Sequence, residues 1–170
     1  RVVELMMSMY RSSILDGLTG LYNRRFFMSR LERMLKRKLV AGVIFCDIDD
    51  FKKMNDTLGH DLADRVLKQV ADILAEEASG IGIAGRYGGE ELVAFVFRDP
   101  LAAAERVRSR VERETGVTVS VGVCRARPGL TAEQLLRRAD RAMYHSKTGG
   151  KNRVTDYDSL PPSEDEKKLH

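Results

Sequence analysis

Two acidic clusters carry the chemistry this sequence can support. Asp47 follows an apolar run, Val40 to Cys46, and Asp49 and Asp50 come within one turn of it. Glu90 and Glu91 stand directly after Gly88-Gly89, between two further apolar runs. Open α/β sheets bind their ligands at the C-terminal ends of strands. Two carboxylate clusters on neighbouring strand ends would form a hard, oxygen-rich site of the kind Mg²⁺ shares with substrate phosphates. Glycines beside the carboxylates let backbone approach a phosphate closely, and Lys52, Arg86 and Lys147 supply positive charge to neutralise it. Together these residues point to phosphoryl transfer. Each feature alone has a plainer reading, since aspartate-rich strand ends are common turns and Gly-Gly is ordinary hairpin chemistry.

The elements that must position these residues follow from periodicity. Val2, Leu5, Met6 and Met9 at helical spacing predict a helix over residues 1–15, ended by Asp16-Gly17. Phe26 to Lys38 reads as an amphipathic helix with basic outer positions. The continuous run Val40 to Cys46 predicts a strand covered on both faces. Asp61 to Ala78 is a second amphipathic helix, and 81–87 and 91–97 are strands joined by the Gly-Gly turn. Pro100 to Glu114 predicts a helix with proline in its first turn. Val117 to Val123 is a β-branched strand. Thr131 and Gln134 form a capping box opening a helix to about Ser146, and Arg153 to Tyr157 makes an edge strand. The order α-α-β-α-β-β-α-β-α-β implies a mixed central sheet flanked by helices, an α/β (α+β) fold. Residues 158–170, with Pro161-Pro162 and mixed charges, are expected to be a disordered tail.

Composition bounds the function. At 170 residues and 19.1 kDa, with 43% hydrophobic and 32% charged residues, the chain is one domain with a sizeable core, not a disordered, collagen-like or disulfide-dense protein. The net charge is +4, and residues 1–150 hold 25 of the basic and 20 of the acidic side chains, a net +5. That excess suits an anionic ligand such as a nucleotide but is too diffuse for a nucleic-acid groove. Cys46 and Cys124 each sit in an apolar run without a partner at metal-ligand spacing, so both are expected to be buried and reduced, as in a cytoplasmic protein. No apolar stretch has the length of a membrane span.

Four segments in order give the sequence a specific resemblance: Asp16 to Arg25 (DGLTGLYNRR), Asp47 to Asp56 (DIDDFKKMND), Gly59-His60-Asp61, and Arg86 to Leu92 (RYGGEEL). Together they resemble the GGDEF family of diguanylate cyclases, over residues 14–155. The resemblance implies a palm-like nucleotidyl-cyclase fold over residues 16–157, with residues 1–15 as a signalling helix from an upstream sensor. It implies condensation of two GTP molecules into cyclic di-GMP with release of pyrophosphate, as part of bacterial signalling. Each protomer of a homodimer would hold one GTP, with Mg²⁺ or Mn²⁺, two ions per active site. By the same resemblance Asp47, the Ile48 carbonyl, Glu90 and Glu91 are metal ligands, and Asp47, Glu90 and Glu91 are catalytic. Asn55 and Asp64 read the guanine edge, an amide and a carboxylate facing N–H donors, although Asp64 alone would pass for an exposed helix charge. Lys52, Lys147 and Lys151 surround the triphosphate, Lys151 where many relatives have Arg; a lysine supplies the charge without the bidentate fork. Gly88 and Gly89 admit the phosphate. His60 resembles a position near the β-phosphate turn, with a structural role. Arg86 stabilises phosphate charge or is a surface arginine at the strand end.

Two departures from the family pattern matter. Leu92 replaces the usual Phe, an apolar exchange expected in the core. Ser79-Gly80-Ile81-Gly82 stands where many relatives carry the Arg-x-x-Asp motif that binds product, which implies no product inhibition through that site. The short stretch Glu114 to Val117 implies that a hairpin found in some relatives is missing. Competing readings are a non-catalytic GTP-binding regulatory module, which usually shows a broken signature, and a cyclase with relaxed purine choice.

Overall fold

The computed structural model describes residues 1–162. A five-stranded sheet forms its centre: β1 (Gly42–Ile48), β2 (Gly82–Arg86), β3 (Glu91–Val96), β4 (Val119–Arg125) and β5 (Arg153–Asp156), in the spatial order β2-β3-β1-β4-β5. All neighbours are antiparallel except β4 and β5, which are parallel, so the sheet is mixed as the element order implied. Six helices accompany it: α1 (Val2–Ile14), α2 (Arg24–Lys36), α3 (Phe51–Leu58), α4 (His60–Ala78), α5 (Pro100–Glu114) and α6 (Ala132–Thr148). Among the described residues no helix is long and apolar enough to cross a membrane.

Strand alternation divides the core into two layers. Ile44, Cys46 and Ile48 of β1, with Leu92, Ala94 and Val96 of β3, pack on one face against Leu67, Val70 and Leu74 of α4 and Val107 of α5. Val43, Phe45, Val93 and Phe95 pack on the other face against Phe27 and Leu31 of α2 and Leu135 and Ala139 of α6. The central strand β1 is therefore covered on both faces, which explains its unbroken apolar run. Leu92 is fully buried in the first layer. Both cysteines are free and buried; burial pushes the Cys46 thiol up to about 12 and the Cys124 thiol to about 11.

The central strand is displaced from its expected limits: it begins at Gly42, and Asp47 and Ile48 belong to it. Asp47 pairs with Glu91 on one side and Ser120 on the other, while Ile48 pairs with Val119. Backbone pairing with two flanking strands extends β1 past the point where side-chain polarity predicts an end. A second difference is α3, which the sequence does not announce. Its eight residues include Asn55, Asp56 and Thr57, poor helix formers; Phe51 and Met54, packed on the first layer, hold it in place. Gly59, at φ +90°, separates it from α4. The third difference is the expected tail. Tyr157–Ser159 form a 3₁₀ turn, Leu160 packs on the second layer, and the Pro161 carbonyl accepts a bond from Arg141 Nη2, so order continues past residue 158. The rest of that tail, residues 163–170, lies outside the described residues.

Three local devices set the geometry around the acidic clusters. Thr131 caps α6 through the Gln134 amide and Gln134 returns the bond, forming the capping box. Gly122 of β4 lets α6 lie directly on the sheet, since a Cβ there would collide with the Ala139 carbonyl and the Met143 amide. The third device is a clamp on the β2–β3 turn. Arg86 Nη1 pairs with Asp16 at 3.1 Å, while Nε and Nη2 donate to the Gly88 and Gly89 carbonyls. Asp16 also accepts from the Thr19 amide at 2.8 Å and the Thr19 hydroxyl at 2.7 Å. Burial pushes the Asp16 carboxyl up, but the bonds from Thr19 and the Arg86 charge outweigh it and hold it below the usual range.

Two outcomes test this architecture. Gly122→Ala is expected to destabilise the domain by about 3 kcal/mol, read by urea unfolding, because α6 must lift off the sheet. Asp16→Asn is expected to cost about 2 kcal/mol at neutral pH. A carboxyl lowered on folding stabilises above its unfolded pKa and loses that contribution as pH falls through its folded value. The difference between wild type and Asp16→Asn should therefore be constant above pH 5 and shrink below about pH 4.

Candidate active site

The β1–β3 register sets the centre. Asp47 and Glu91 are Cα partners across the two strands and share the parity of Phe45 and Val93, so both point to the α2/α6 side of the sheet. Glu90, one residue earlier on the turn, lines a cleft of about 610 Å³ together with Asp47, Ile48, Lys52 and Lys147. Asp50, Phe51 and Thr57 form the floor and the α3 wall of the same cleft. A Cβ on Gly88 would collide with the Glu91 carboxylate, so this glycine lets the turn fold back over that side chain. Gly89 is exposed, with open space above it.

The three carboxylates repel one another. Burial pushes Asp47 up; the Lys147 ammonium, by hydrogen bond and charge, pulls it back, and Glu90 and Asp49 push it up again, leaving it above the ordinary range. Glu91 is likewise raised, first by burial and then by Asp47, Asp140 and Glu90, with Arg24 opposing. A site that stores mutual repulsion of this kind is relieved by a divalent cation.

Asp49 behaves differently from its neighbours in the acidic run. It is only 5% exposed, and every donor around it is spoken for: Thr118 Oγ1 at 2.7 Å, Ser120 Oγ at 2.6 Å, Lys147 Nζ at 2.9 Å and the Asn152 amide at 3.0 Å. Burial alone would raise it, but the bonds from Ser120, Thr118 and Lys147 hold it low. Asp49 is a structural strut that ties β1 to β4, α6 and the approach to β5. Delivering the Asn152 amide requires Lys151 and Asn152 at φ +64° and +46°, a left-handed pair after Gly149-Gly150.

Lys147, in the last turn of α6, bridges three oxygens of the centre. Its ammonium lies 2.8 Å from Asp47 Oδ1, 2.9 Å from Asp49 Oδ1 and 3.1 Å from the Ile48 carbonyl. Lys151 pairs with Asp50 at 2.6 Å, on the rim of the same cleft.

The structure thus gathers Asp47, Ile48, Glu90, Lys52 and Lys147 in one cleft, with Glu91 beside it on the sheet and Lys151 at its edge. It does not bring in Arg86. Its guanidinium is bonded to Asp16 and to the Gly88 and Gly89 carbonyls, where it shapes the turn that carries Glu90 and Glu91. His60 is exposed at the start of α4 and does not line the cleft. Asn55 lies on α3, partly buried, and its Oδ1 is buried without a hydrogen-bond partner among the described residues. Asp64 lines a separate cleft of about 420 Å³ with Leu18, Arg65, Lys68 and Gln69. Sequence reasoning overlooked Asp140, whose charge acts on Glu91. It stands seven residues before Lys147 on α6, two turns along the same helix face, a spacing that would have flagged it.

The donor set fits Mg²⁺ or Mn²⁺. Carboxylates and a carbonyl are the hard oxygens these ions prefer. The Lys147 ammonium already stands in as a cation between Asp47 Oδ1 and the Ile48 carbonyl. Among the described residues no group of three or more His, Cys, Asp or Glu side chains is placed to hold a metal ion by itself.

Comparison with known proteins agrees with this arrangement. The family described as "Diguanylate cyclase, GGDEF domain" matches residues 13–153. The response regulator PleD of Caulobacter vibrioides is 41% identical over 161 residues, covering 84% of this chain and 36% of PleD. Diguanylate cyclase A of Treponema denticola is 35% identical over 160 residues, covering 82% of this chain and 43% of the relative. The chain therefore spans less than half the length of these two relatives. Among solved structures, the coiled coil and GGDEF domain of DgcB from Caulobacter crescentus, in complex with c-di-GMP, superposes with a TM-score of 0.84 at 32% identity, covering 92% of each chain. The active GGEEF domain of a diguanylate cyclase from Vibrio cholerae gives 0.72 at 29% identity, over 84% of this chain and 99% of that one. On sequence, fold and the placing of its signature turn, the chain belongs to the GGDEF-domain family.

Proposed function

We propose that this domain is a diguanylate cyclase that condenses two GTP molecules into cyclic di-GMP, each protomer of a homodimer presenting one GTP to the other. The observation that carries the reading is the intact acidic centre: Asp47, the Ile48 carbonyl and Glu90 share one cleft, and Glu91 lies opposite Asp47 on the sheet. A non-catalytic module usually shows a broken signature, whereas all three carboxylates are present here. The relatives named diguanylate cyclases support the same activity.

In each of two equivalent steps, the 3′-hydroxyl oxygen of one GTP attacks the α-phosphorus of the other. The new P–O bond forms as the bond to the β-phosphate oxygen breaks, and pyrophosphate departs; the hydroxyl proton passes to the acidic centre or to water. Divalent ions, Mg²⁺ or Mn²⁺ and two per site, supply charge neutralisation and lower the pKa of the attacking hydroxyl when bound. Asp47, the Ile48 carbonyl, Glu90 and Glu91 would hold them. Lys52, Lys147 and Lys151 neutralise the triphosphate, and Gly88-Gly89 allow its close approach. Asn55 on α3 and Asp64 on α4 would read the guanine edge, the carboxylate of Asp64 favouring guanine over adenine. A cytoplasmic location, where GTP is available, goes with this reading, as does a sensor segment joined through α1.

The same reading includes freedom from product inhibition through the site at Ser79–Gly82. Backbone geometry supports it: a Cβ on Gly82 would collide with the Phe95 carbonyl, so an aspartate at that position cannot be accommodated without displacing β3.

Two measurements check the proposal. Concentrated protein with GTP and Mg²⁺ should yield cyclic di-GMP, ATP alone should yield no cyclic dinucleotide, and Asp47→Ala or Glu91→Ala should lower the rate by at least about a thousandfold, as for loss of a group acting in the transition state. GTP bound but unconverted in an enforced dimer would sink it. Turnover should also persist as cyclic di-GMP accumulates; tight inhibition with product bound beside Ser79 would overturn the second claim.

A further inference from the structure

Lys147 occupies the oxygens that the metal needs. Its ammonium rests at 2.8 Å on Asp47 Oδ1 and at 3.1 Å on the Ile48 carbonyl, two of the four groups assigned above to the divalent ion. A +1 ammonium and a +2 ion cannot share those two oxygens, because like charges a few ångströms apart in a partly buried site repel strongly. Lys147 and the metal are therefore alternatives at Asp47.

The surroundings are built for an exchange. Asp47 draws its hydrogen-bonded cation from Lys147, whereas Asp49 keeps Thr118, Ser120 and the Asn152 amide if Lys147 leaves. Removing the ammonium thus frees Asp47 while Asp49 stays satisfied and keeps β1 tied to β4 and to the approach to β5. Lys147 stands in the last turn of α6, where the helix C-terminus favours a cation, and its four-carbon stem can swing without moving the helix. It lines the same cleft as Lys52 and Lys53, so a triphosphate held by those lysines lies within its reach.

We infer that Lys147 is the built-in counter-ion of the metal-binding carboxylate and couples metal loading to arrival of the triphosphate. It holds Asp47 and the Ile48 carbonyl until phosphate oxygens draw the ammonium away, and only then releases those two oxygens to a divalent cation. The inference rests on the assignment of Asp47 and Ile48 as metal ligands in the proposed cyclase. Its functional consequence is order: metal alone binds poorly, and the productive species to enter is the metal–nucleotide complex. By linkage, whatever removes Lys147 from Asp47 tightens metal binding by the same factor that metal weakens the Lys147 contact.

The test reads metal affinity without turnover. Mn²⁺ binding is followed by electron paramagnetic resonance in wild type, Lys147→Met, Lys147→Gln and Lys151→Met, with and without a non-hydrolysable GTP analogue. Lys151→Met removes the same charge from the cleft rim but leaves Asp47 untouched, since Lys151 pairs with Asp50. Without nucleotide, Lys147→Met and Lys147→Gln are expected to bind Mn²⁺ at least about tenfold more tightly than wild type, a change of 1.4 kcal/mol, and Lys151→Met within about threefold of it. In wild type, the ¹⁵N-ammonium resonance of Lys147 should stay in place in millimolar Mg²⁺ alone and move once the analogue is present. The resonance assay needs no variant, so it decides the matter even if both substitutions at Lys147 impair folding. Equal Mn²⁺ affinity in wild type and Lys147→Met, an equal gain in Lys151→Met, or a resonance moved by Mg²⁺ alone would overturn the inference and leave the cyclase reading standing. Failure of every protein to bind Mn²⁺ even with the analogue would overturn both.

Discussion

The saturated carboxylate of Asp49 is the interaction on which the centre depends. Four donors from three different parts of the chain converge on it: Thr118 and Ser120 of the β4 approach, Lys147 of α6, and the Asn152 amide before β5. Breaking a buried, fully bonded charge of this kind costs several kcal/mol because its partners are left unpaired. The bonds therefore fix where α6 ends, where the left-handed Lys151-Asn152 pair sits, and which way the end of β1 faces. With Asp49 held inward, Asp47, two residues earlier in an extended strand, lies on the same face, and its carboxylate is aimed at the cleft beside it. The structural aspartate orients the one proposed to hold the metal.

Around that strut the domain carries a deliberate electrostatic defect. Asp47 and Glu91 lie above the ordinary carboxylate range because burial and mutual repulsion disfavour their charge. A raised carboxyl makes the folded state less stable as pH rises through its folded pKa, the opposite sign to Asp16 and Asp49. The domain accepts this penalty at its functional end and offsets it elsewhere with two apolar layers and the low-lying carboxylates of Asp16 and Asp49. Such a division, strain at the site and consistency everywhere else, is what a binding centre for a polyvalent cation requires.

Most of the fold is legible in the sequence because its elements agree locally and globally. The capping box at Thr131, the Pro100 start of α5 and the two-sided burial of β1 each follow from residue type and period alone. What fails is informative. The helix α3 is invisible because it is only eight residues long, includes the poor formers Asn55, Asp56 and Thr57, and is held by tertiary packing of Phe51 and Met54. The end of β1 is misplaced because pairing with β3 and β4 overrides the polarity of Asp47. Within the acidic run, spacing gathers Asp47, Asp49 and Asp50 as equals; only the three-dimensional donors distinguish a strut, a cleft carboxylate and a rim partner of Lys151. The part Arg86 plays in the turn is hidden for the same reason. Its partner Asp16 lies 70 residues away, and no periodicity reports that distance.

The long-range pair also joins the two ends of the molecule that sequence treats as separate. Every residue of α1 lacks a buried position, and Val2, Leu5, Met6 and Met9 are each more than 60% exposed; this helix adds nothing to the core. Its C-terminus is nonetheless bonded into the body. The Ser13 carbonyl accepts from Asn23 Nδ2 and Arg25 Nη2, and the Ile14 carbonyl accepts from the Asn23 amide. Two residues on, Asp16 grips Arg86, which grips the Gly88 and Gly89 carbonyls immediately before Glu90. The chain of contacts from an apolar helix with no core of its own to the carboxylates of the signature turn is unbroken and short. The links are neutral hydrogen bonds at Ser13 and Ile14, joined by the Arg25 bond to Ser13, and an ion pair at Asp16. Asp16 is thus the residue at which the contacts of the exposed helix end and those of the acidic turn begin.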